Sequence, residues 1–191
     1  MYIWKTVKVF LSSTFLDLEL ERDRLGRVFL DLKQKLSSRH LSLIPYDLRW
    51  REKHSEELLA RWCLEMVKQC QYFVGILGFR YGWRPPEDAQ GKANDRRLSI
   101  TEMEIRQALD TIAPQRRLLC LGDMAQYKTD EIGKERQEDL ESVERLKRSL
   151  CERGENVYFY GSAQELLQII ADRVGQMIDL DYPPDCKVKF E

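Results

Sequence analysis

The chain has 191 residues, which is enough for one well-buried domain and too few for two of ordinary size. Hydrophobic residues make up 43% of it and charged residues 33%, a composition typical of soluble globular proteins and not of disordered or membrane proteins. Lysine and arginine total 31 against 32 acidic residues, so the charge balance does not favour nucleic-acid binding or binding to an anionic membrane.

Cysteine and histidine usage argues against metal and thiol chemistry. The five cysteines contain no C-x-x-C pair, and His40 and His54 are too few for a histidine-based metal site or a Ser-His triad. We interpret the cysteines as buried apolar residues and expect no metal. No apolar run reaches membrane-spanning length, and no signal-peptide pattern opens the chain. The sequence therefore predicts a cytoplasmic protein.

Short apolar runs alternate with helical patterns along the chain. The alternation predicts a three-layer α/β sandwich, with about five mostly parallel strands and helices on both faces. The predicted strands are Val7–Leu11, Leu41–Tyr46, Tyr72–Leu77, Leu118–Leu121 and Val157–Tyr160. The predicted helices are one that starts at a Thr14–Asp17 capping box, then Ser55–Gln69, Thr101–Leu109, the charged segment Gly133–Arg153, and a last one from a Ser162–Glu165 capping box to about Leu180.

Polar and aromatic clusters follow the predicted strands. Ser12-Ser13-Thr14 follows the first strand, Asp47–Trp50 the second, Gly78–Trp83 the third and Gly122-Asp123 the fourth. Because ligands of parallel α/β sheets bind beyond the carboxyl ends of the strands, these clusters predict a binding site at one edge of the sheet.

Two of these clusters allow a functional and a structural interpretation. The hydroxyls and N–H groups of Ser12-Ser13-Thr14 could bind a phosphate, or they could only cap the first helix. Arg49 could bind a phosphate while Trp50 stacks on a base, or both could belong to a packed surface corner. The residues alone leave both alternatives open.

The loop after the third predicted strand repeats the combination of a cation with flat aromatic rings. Its glycines allow tight backbone geometry, and it carries Arg80, Tyr81 and Trp83. These side chains could bind a ligand, or the loop could merely fold back on the sheet. Two such loops at one edge favour a ligand more than either loop alone.

The segment SITEMEI, residues Ser99–Ile105, contains two carboxylates of interest. Ser99-x-x-Glu102 and Thr101-x-x-Glu104 both match the capping-box pattern, so helix-start chemistry is the simpler interpretation. A carboxylate at this edge could instead orient ribose hydroxyls or stabilise a glycosyl cation. Glu102 and Glu104 lie two residues apart on a helix and point to different faces, so they do not form a catalytic pair.

Four segments resemble one known family in their order and spacing: VFLSSTFLDLELERDRL, LSLIPYDLRW, CQYFVGILGFRYGWRPP and SITEMEIRQAL. The family is a TIR-like domain of unknown function at the N-terminus of STAND NTPase proteins, including the telomerase-associated WD-repeat protein, nephrocystin-like proteins and many bacterial conflict-system members. The resemblance covers about Lys5 to Leu109 by motif, and the remainder by the order of strands and helices. It implies one flavodoxin/TIR-like domain over residues 1–182, followed by a tail or linker at 183–191.

The resemblance also implies site residues. Glu104 matches the catalytic glutamate of NAD-hydrolysing TIR domains, and Ser12 and Ser13 would line the nucleotide pocket. The resemblance further implies that an arginine would bind the pyrophosphate, with Arg49 and Arg80 as candidates. A base would stack on an aromatic ring, with Trp50, Tyr81 and Trp83 as candidates.

Two functions follow from the resemblance. The first is an effector or signalling domain that cleaves NAD(P) or a related nucleotide, within a bacterial immune protein or a STAND NTPase protein, with NAD as substrate and no cofactor. The alternative is a non-enzymatic interaction or oligomerisation module, which binds another copy or a STAND NTPase or repeat partner and in which Glu104 only caps a helix.

Overall fold

The computed structural model describes residues 4–14, 18–47, 56–88, 90–123 and 135–184. Strands and helices alternate through these residues. The strands are β1 (Lys5–Ser13), β2 (Leu41–Asp47), β3 (Tyr72–Leu77), β4 (Arg117–Gly122) and β5 (Val157–Tyr160). The helices are α1 (Glu19–Ser37), α2 (Glu56–Gln69), α3 (Ile100–Thr111), α4 (Gln137–Glu152) and α5 (Ala163–Asp181).

The strands form one parallel sheet in the order β2-β1-β3-β4-β5. This is the strand order of flavodoxin-like doubly wound folds, and it confirms the predicted fold class. The chain leaves β1 toward β2 on one side and returns to β3 on the other. The carboxyl ends of β1 and β3 therefore border the crevice in which such folds bind ligands.

Apolar helix faces cover both sides of the sheet. The alternating side chains of each strand point to opposite faces, so each face carries its own core. Helices α1 and α5 cover one face, with Leu25, Phe29, Leu32, Ile170 and Val174 packed on Val7, Val9 and Val74. Helices α2, α3 and α4 cover the other, with Val67, Ile105, Ala108, Leu146 and Leu150 packed on Phe10, Phe73 and Leu119. These two cores make the three layers.

Strand β3 lies at the centre of the sheet and is buried at all six positions, which confirms the prediction from its continuous apolar run. Gly75 is the one residue of β3 without a side chain. A Cβ built there would lie 2.9 Å from both Leu119 Cδ2 and Phe73 Cε1. The glycine is therefore required by the close packing of the strand against its neighbours.

The start of α1 differs from the prediction. Helix α1 begins at Glu19 with Leu18 at the N-cap and no side-chain cap, so the predicted Thr14–Asp17 capping box is wrong. Strand β1 runs two residues further than predicted, through Ser12 and Ser13. Pairing with β3 is the physical reason, because Ser13 lies in register with Ile76 and the ladder continues to that point.

Helix α4 differs from what its sequence indicates in two ways. A charge run of this kind is typical of a solvated helix face, yet Lys147 is buried and its Nζ donates to the Gly122 carbonyl oxygen at 2.9 Å. Cys151 is exposed, whereas Cys63, Cys70 and Cys120 are buried as predicted. The charge pattern alone could not place Lys147, because its partner is a backbone carbonyl at the end of β4.

The capping prediction for α5 is confirmed with a small shift. Ser162 Oγ accepts from the Glu165 N–H at 3.2 Å, and Glu165 Oε2 accepts from the Gly161 N–H at 2.7 Å. No helix among the described residues is both long and apolar enough to cross a membrane.

Candidate functional site at the β1/β3 crossing

A buried carboxylate lies at the crossing of β1 and β3. Ser12, which pairs with Gly75 in the β1/β3 ladder, donates its hydroxyl to Glu104 Oε2 at 2.5 Å. Ser12 and Glu104 are each 1% exposed. Ser12 shares a strand face with Phe10, two residues earlier, and α3 packs on that face. The fold thus brings together two predicted site residues that lie 92 positions apart in sequence.

The N-terminus of α3 shows that only one of the two capping patterns is used. Ser99 is the N-cap, and its Oγ accepts from the Glu102 N–H at 3.2 Å. Thr101 already lies inside the helix, so the alternative box from Thr101 to Glu104 is wrong. Glu104 stands in the second turn, where the helix N–H groups already have carbonyl acceptors. Glu104 therefore does not stand at the third position of the capping box that starts α3.

Glu102 faces away from Glu104 and belongs to a separate buried cluster. Its Oε1 accepts from Arg106 Nε at 2.8 Å and from Arg106 Nη2 at 2.6 Å, and its Oε2 accepts from the Tyr81 hydroxyl. Burial, and then the hydrogen bond to the Glu102 carboxylate, raise the pKa of Tyr81 to about 12. The two carboxylates therefore do not share one site, as the helix geometry predicted.

The backbone after β3 packs beside the crossing. Gly82 has φ +92, and a Cβ there would lie 3.0 Å from Thr14 Cγ2 and 3.5 Å from Thr101 Oγ1. The segment therefore packs between the end of β1 and the start of α3, where Thr14 and Thr101 are buried. Glycine is required at this position by both the positive φ and the close approach. This packing fixes the segment between the strand that carries Ser12 and the helix that carries Glu104.

The remaining predicted residues lie at different depths around the crossing. Ser13 is half-buried at the end of β1. Tyr81 is buried beneath Arg84, whose guanidinium carbon lies 4.9 Å from its ring centroid, so its ring faces are not open to a base in this structure. Arg80 Nη2 lies 2.9 Å from Glu135 Oε1.

Trp83 is 36% exposed and lines a cleft together with three arginines. Arg49 and Trp50 lie outside the described residues, so their predicted roles stay predictions. Among the described residues, no three His, Cys, Asp or Glu side chains are grouped so that they could hold a metal ion.

Sequence reasoning missed a cluster of arginines beside Trp83. Arg84, Arg97 and Arg136 line a cleft of about 500 Å³ together with Trp83 and Asn94. Two of these arginines sit in a loop whose path is set by tertiary contacts, and the third precedes α4. The richness of the Gly78–Arg97 loop in arginine was the available signal, but nothing in the pattern indicated which of them would converge.

The chain matches the model of one protein family. The match covers residues 8–175, and the family is described as a domain of unknown function, DUF4062. Two curated relatives from rodents are the telomerase protein component 1 of Rattus norvegicus, 39% identical over 121 residues, and that of Mus musculus, 37% identical over 125 residues. Each alignment covers 56% of this chain and 4% of the rodent protein.

A third relative matches over more of the chain. A TPR repeat-containing protein of Dictyostelium discoideum is 27% identical over 216 aligned residues, which cover 97% of this chain and 13% of that protein. The chain therefore spans a small part of the relatives that it matches. Among solved structures, a diflavin flavoprotein A3 from Nostoc sp. aligns with a TM-score of 0.40 at 13% identity, covering 93% of this chain and 96% of that one.

Proposed function

The chain belongs to the DUF4062 family, a domain of unknown function, and we propose that it is a glycohydrolase of NAD(P) or a related nucleotide with Glu104 as its catalytic carboxylate. One observation carries this proposal. Glu104 is a buried carboxylate held by Ser12 at the strand crossing where doubly wound folds bind nucleotides. The TIR-like motifs around Ser12 and Glu104 support the same assignment.

The proposed chemistry is hydrolysis at the anomeric carbon of the nicotinamide ribose. The bond between C1′ and the pyridinium nitrogen breaks, and its electron pair stays on nitrogen, which releases neutral nicotinamide. Water then bonds to C1′ and loses a proton to solvent, which gives ADP-ribose. The Glu104 carboxylate would accept hydrogen bonds from ribose hydroxyls and stabilise the cationic transition state, and no metal or cofactor takes part.

In the proposal, substrate reaches Glu104 when the segment after β3, which packs between the end of β1 and the start of α3, moves. Ser12 and Glu104 are nearly inaccessible, and Gly82 lies against Thr14 and Thr101. In the proposal, the residues after β3 shift away from the end of β1 when the active assembly forms. This accounts for a catalytic residue that is closed in the isolated domain, and it makes turnover dependent on self-association. We also propose that this domain acts as part of a larger immune or STAND NTPase protein.

The test is an NAD-cleavage assay on the purified domain, both concentrated and artificially clustered, with nicotinamide and ADP-ribose quantified. We expect Glu104→Gln to lower turnover at least about a hundredfold while the folded fraction stays unchanged. Glu152→Gln is the matched control, because Glu152 is an exposed glutamate near the end of α4. Clustered wild-type protein that leaves NAD, NADP and other nucleotides intact would refute the proposal.

Self-association without catalysis is a second candidate function, and one specific observation favours it. A groove of about 300 Å³ runs between α1 and the edge strand β2, and its lining is almost entirely apolar. Leu30 and Ile44, which line it, are 53% and 37% exposed. Large apolar side chains exposed together at a sheet edge are typical of interaction surfaces. We propose a second copy of this chain as the occupant.

Sedimentation of wild type beside Leu30→Glu tests this candidate. We expect Leu30→Glu to abolish any concentration-dependent dimer, while Asp31→Lys, a change at the exposed neighbouring residue of α1 that does not line the groove, leaves it in place. A wild-type chain that stays monomeric at high concentration, or a dimer unaffected by Leu30→Glu, would exclude this surface.

A further inference from the structure

An open basic cleft lies beside the crossing, separate from the buried Ser12–Glu104 pair. Its volume is about 500 Å³, and we call it the arginine cleft. Every charged side chain in its lining is an arginine. The lining consists of Gly82, Trp83, Arg84, Pro85, Pro86, Asn94, Arg97 and Arg136.

Arg97 is presented to this cleft by a backbone conformation that arginine rarely adopts. Its φ is +50, in the left-handed region that favours glycine. Asn94 enforces the conformation: its carbonyl oxygen accepts the Arg97 N–H at 2.8 Å, and its side chain bonds both the N–H and the carbonyl of Leu98. A glycine would meet the backbone requirement without strain, so the backbone conformation does not explain the arginine side chain.

Two carboxylates hold the arginines from behind without lining the cleft. Glu138 Oε1 lies 3.1 Å from Arg97 Nη1. Asp139 Oδ1 lies 2.7 Å from Arg84 Nη2, and its Oδ2 lies 2.7 Å from Arg136 Nε. Three guanidinium groups thus share two acids, which orients them and leaves a net positive charge in the cluster.

Arg84 retains donors for a ligand. Within the part of the chain that the structure describes, its Nε and Nη1 are buried and have no hydrogen-bond acceptor. Buried guanidinium donors are almost always satisfied, so an acceptor from outside the described chain fits this position. The planar fork of an arginine matches the oxygens of phosphate better than any other common side chain does.

Trp83 adds a flat apolar surface at the rim of the same cleft. It is 36% exposed, and its carbonyl oxygen accepts the Ile100 N–H at 2.8 Å, which fixes the loop to the start of α3. The adjacent Gly82 both lines the cleft and packs against Thr14 and Thr101. The cleft therefore borders the backbone that packs between the end of β1 and the start of α3.

We propose that the arginine cleft binds the phosphate groups of a nucleotide, with the base stacked on Trp83. This deepens the proposed function and rests on it only in assigning the cleft to the same substrate as Glu104. Arg84, through its Nε and Nη1 donors, contacts the phosphate oxygens together with Arg97 and Arg136. Because stacking on tryptophan accepts any base, we expect the cleft to select for phosphate groups and not for one particular base.

Calorimetric titration with ADP, inorganic pyrophosphate and adenosine tests the cleft without any turnover. We expect ADP to bind more tightly than pyrophosphate, and pyrophosphate more tightly than adenosine. Arg97→Gly should weaken ADP binding on the order of tenfold or more, because it removes a charged hydrogen-bond donor. The same variant should be at least as stable as wild type, since glycine relieves the positive φ. Lost binding with retained stability is not expected of a purely structural residue.

Arg96→Ala is the matched control, because Arg96 is an exposed arginine of the same loop that lines other clefts and not this one. Wild-type affinity in Arg97→Gly and in Arg136→Ala, or no binding of ADP to wild type at millimolar concentration, would overturn the inference. ADP binding that depends on Arg97 without NAD cleavage would refute the glycohydrolase and keep the cleft. NAD cleavage with an unchanged KM in Arg97→Gly would instead refute nucleotide binding in the arginine cleft and leave the glycohydrolase proposal in place.

Discussion

Ser12 Oγ donates to Glu104 Oε2 at 2.5 Å across the face of the sheet that α3 covers. The bond joins the carboxyl end of β1 to the second turn of α3, and both residues are buried. A hydrogen bond to a buried carboxylate is worth more than one between neutral groups at the surface. The pair therefore has a structural role in docking α3, beside any role in catalysis.

The first prediction concerns this bond. Ser12→Ala removes the donor and should lower the free energy of unfolding by about 1–3 kcal/mol, since a charged hydrogen bond is lost in the interior. Chemical denaturation of wild type, Ser12→Ala, Glu104→Gln and the double variant should give a coupling energy of about 0.5–3 kcal/mol. Ser37→Ala is the control: its hydroxyl donates to the Gln34 carbonyl at an exposed helix end. Additive effects at Ser12 and Glu104 would contradict the prediction.

Gly82→Ala should be destabilising because two effects coincide there. The residue has φ +92, and its Cβ would lie 3.0 Å from Thr14 Cγ2. We expect a loss of about 1–3 kcal/mol in the free energy of unfolding. Gly26→Ala should instead stabilise by about 0.5–1 kcal/mol, because Gly26 lies within α1 and a Cβ there has no atom within 4 Å. Equal shifts of the thermal midpoint in both variants would refute this account.

Tyr81→Phe should reveal how the Glu102 cluster is held. The variant removes the hydroxyl that donates to Glu102 Oε2 and leaves the Arg106 bonds in place. A buried carboxylate oxygen then loses a donor, and we expect a cost of about 1–3 kcal/mol at neutral pH. Tyr158→Phe is the matched control, with an expected change within about 0.5 kcal/mol, since Tyr158 is only half-buried in β5. Similar denaturation midpoints for the two variants would contradict a stabilising role of the Tyr81 hydroxyl.

The raised pKa of Tyr81 predicts that the protein loses stability in alkali. Burial, and then the Glu102 hydrogen bond, raise the pKa of Tyr81 from 10.0 to about 12. Between these values the unfolded chain has released the proton while the folded chain keeps it, so stability falls as pH rises from 10 to 12. Burial and a bond to Asp181 raise the pKa of Tyr72 as well, which adds to the effect. Denaturation series at pH 8 to 11 should show a shallower decline in Tyr81→Phe than in wild type.

Arg117 is predicted to be the most costly single arginine to remove. It is buried at the start of β4, where Nη1 donates to the carbonyls of Leu109 at 2.7 Å and Ile112 at 3.0 Å, and Nη2 donates to Glu155 at 2.8 Å. Arg117→Ala leaves the end of α3 and a carboxylate without these donors, for an expected loss of about 3–5 kcal/mol. Exposed Arg148→Ala should change stability by less than about 0.5 kcal/mol. A comparable midpoint for both variants would contradict the prediction.

Much of the fold is predictable because its signals are local. The apolar run Tyr72–Leu77 is a strand at the predicted bounds, and Val157–Tyr160 agrees as well. The cap at Ser162 follows from hydrogen bonds within four residues. Glu102 and Glu104 diverge as predicted, because two helix positions differ by about 200° of rotation.

Errors arose where a distant residue decides the local structure. Ser12 and Ser13 resemble a helix cap in isolation, but pairing with β3 extends the strand through them. Tyr81 is one of three candidates for stacking on a base, and in the folded chain Arg84 lies over its ring and Glu102 accepts its hydroxyl hydrogen bond. Neither partner can be inferred from spacing, because both contacts depend on how the loop after β3 returns to α3.

Local patterns are enough to predict the alternation of strands and helices, the parallel three-layer sheet and the polar residues that follow its strands. These depend on hydrophobic periodicity and capping chemistry, which act over a few residues. Tertiary packing alone brings Ser12 to Glu104 and Tyr81 to Glu102, and brings Arg84, Arg97 and Arg136 together at one cleft. The physical reason is that each of these contacts joins segments whose approach is set by packing on the sheet, which no local pattern encodes.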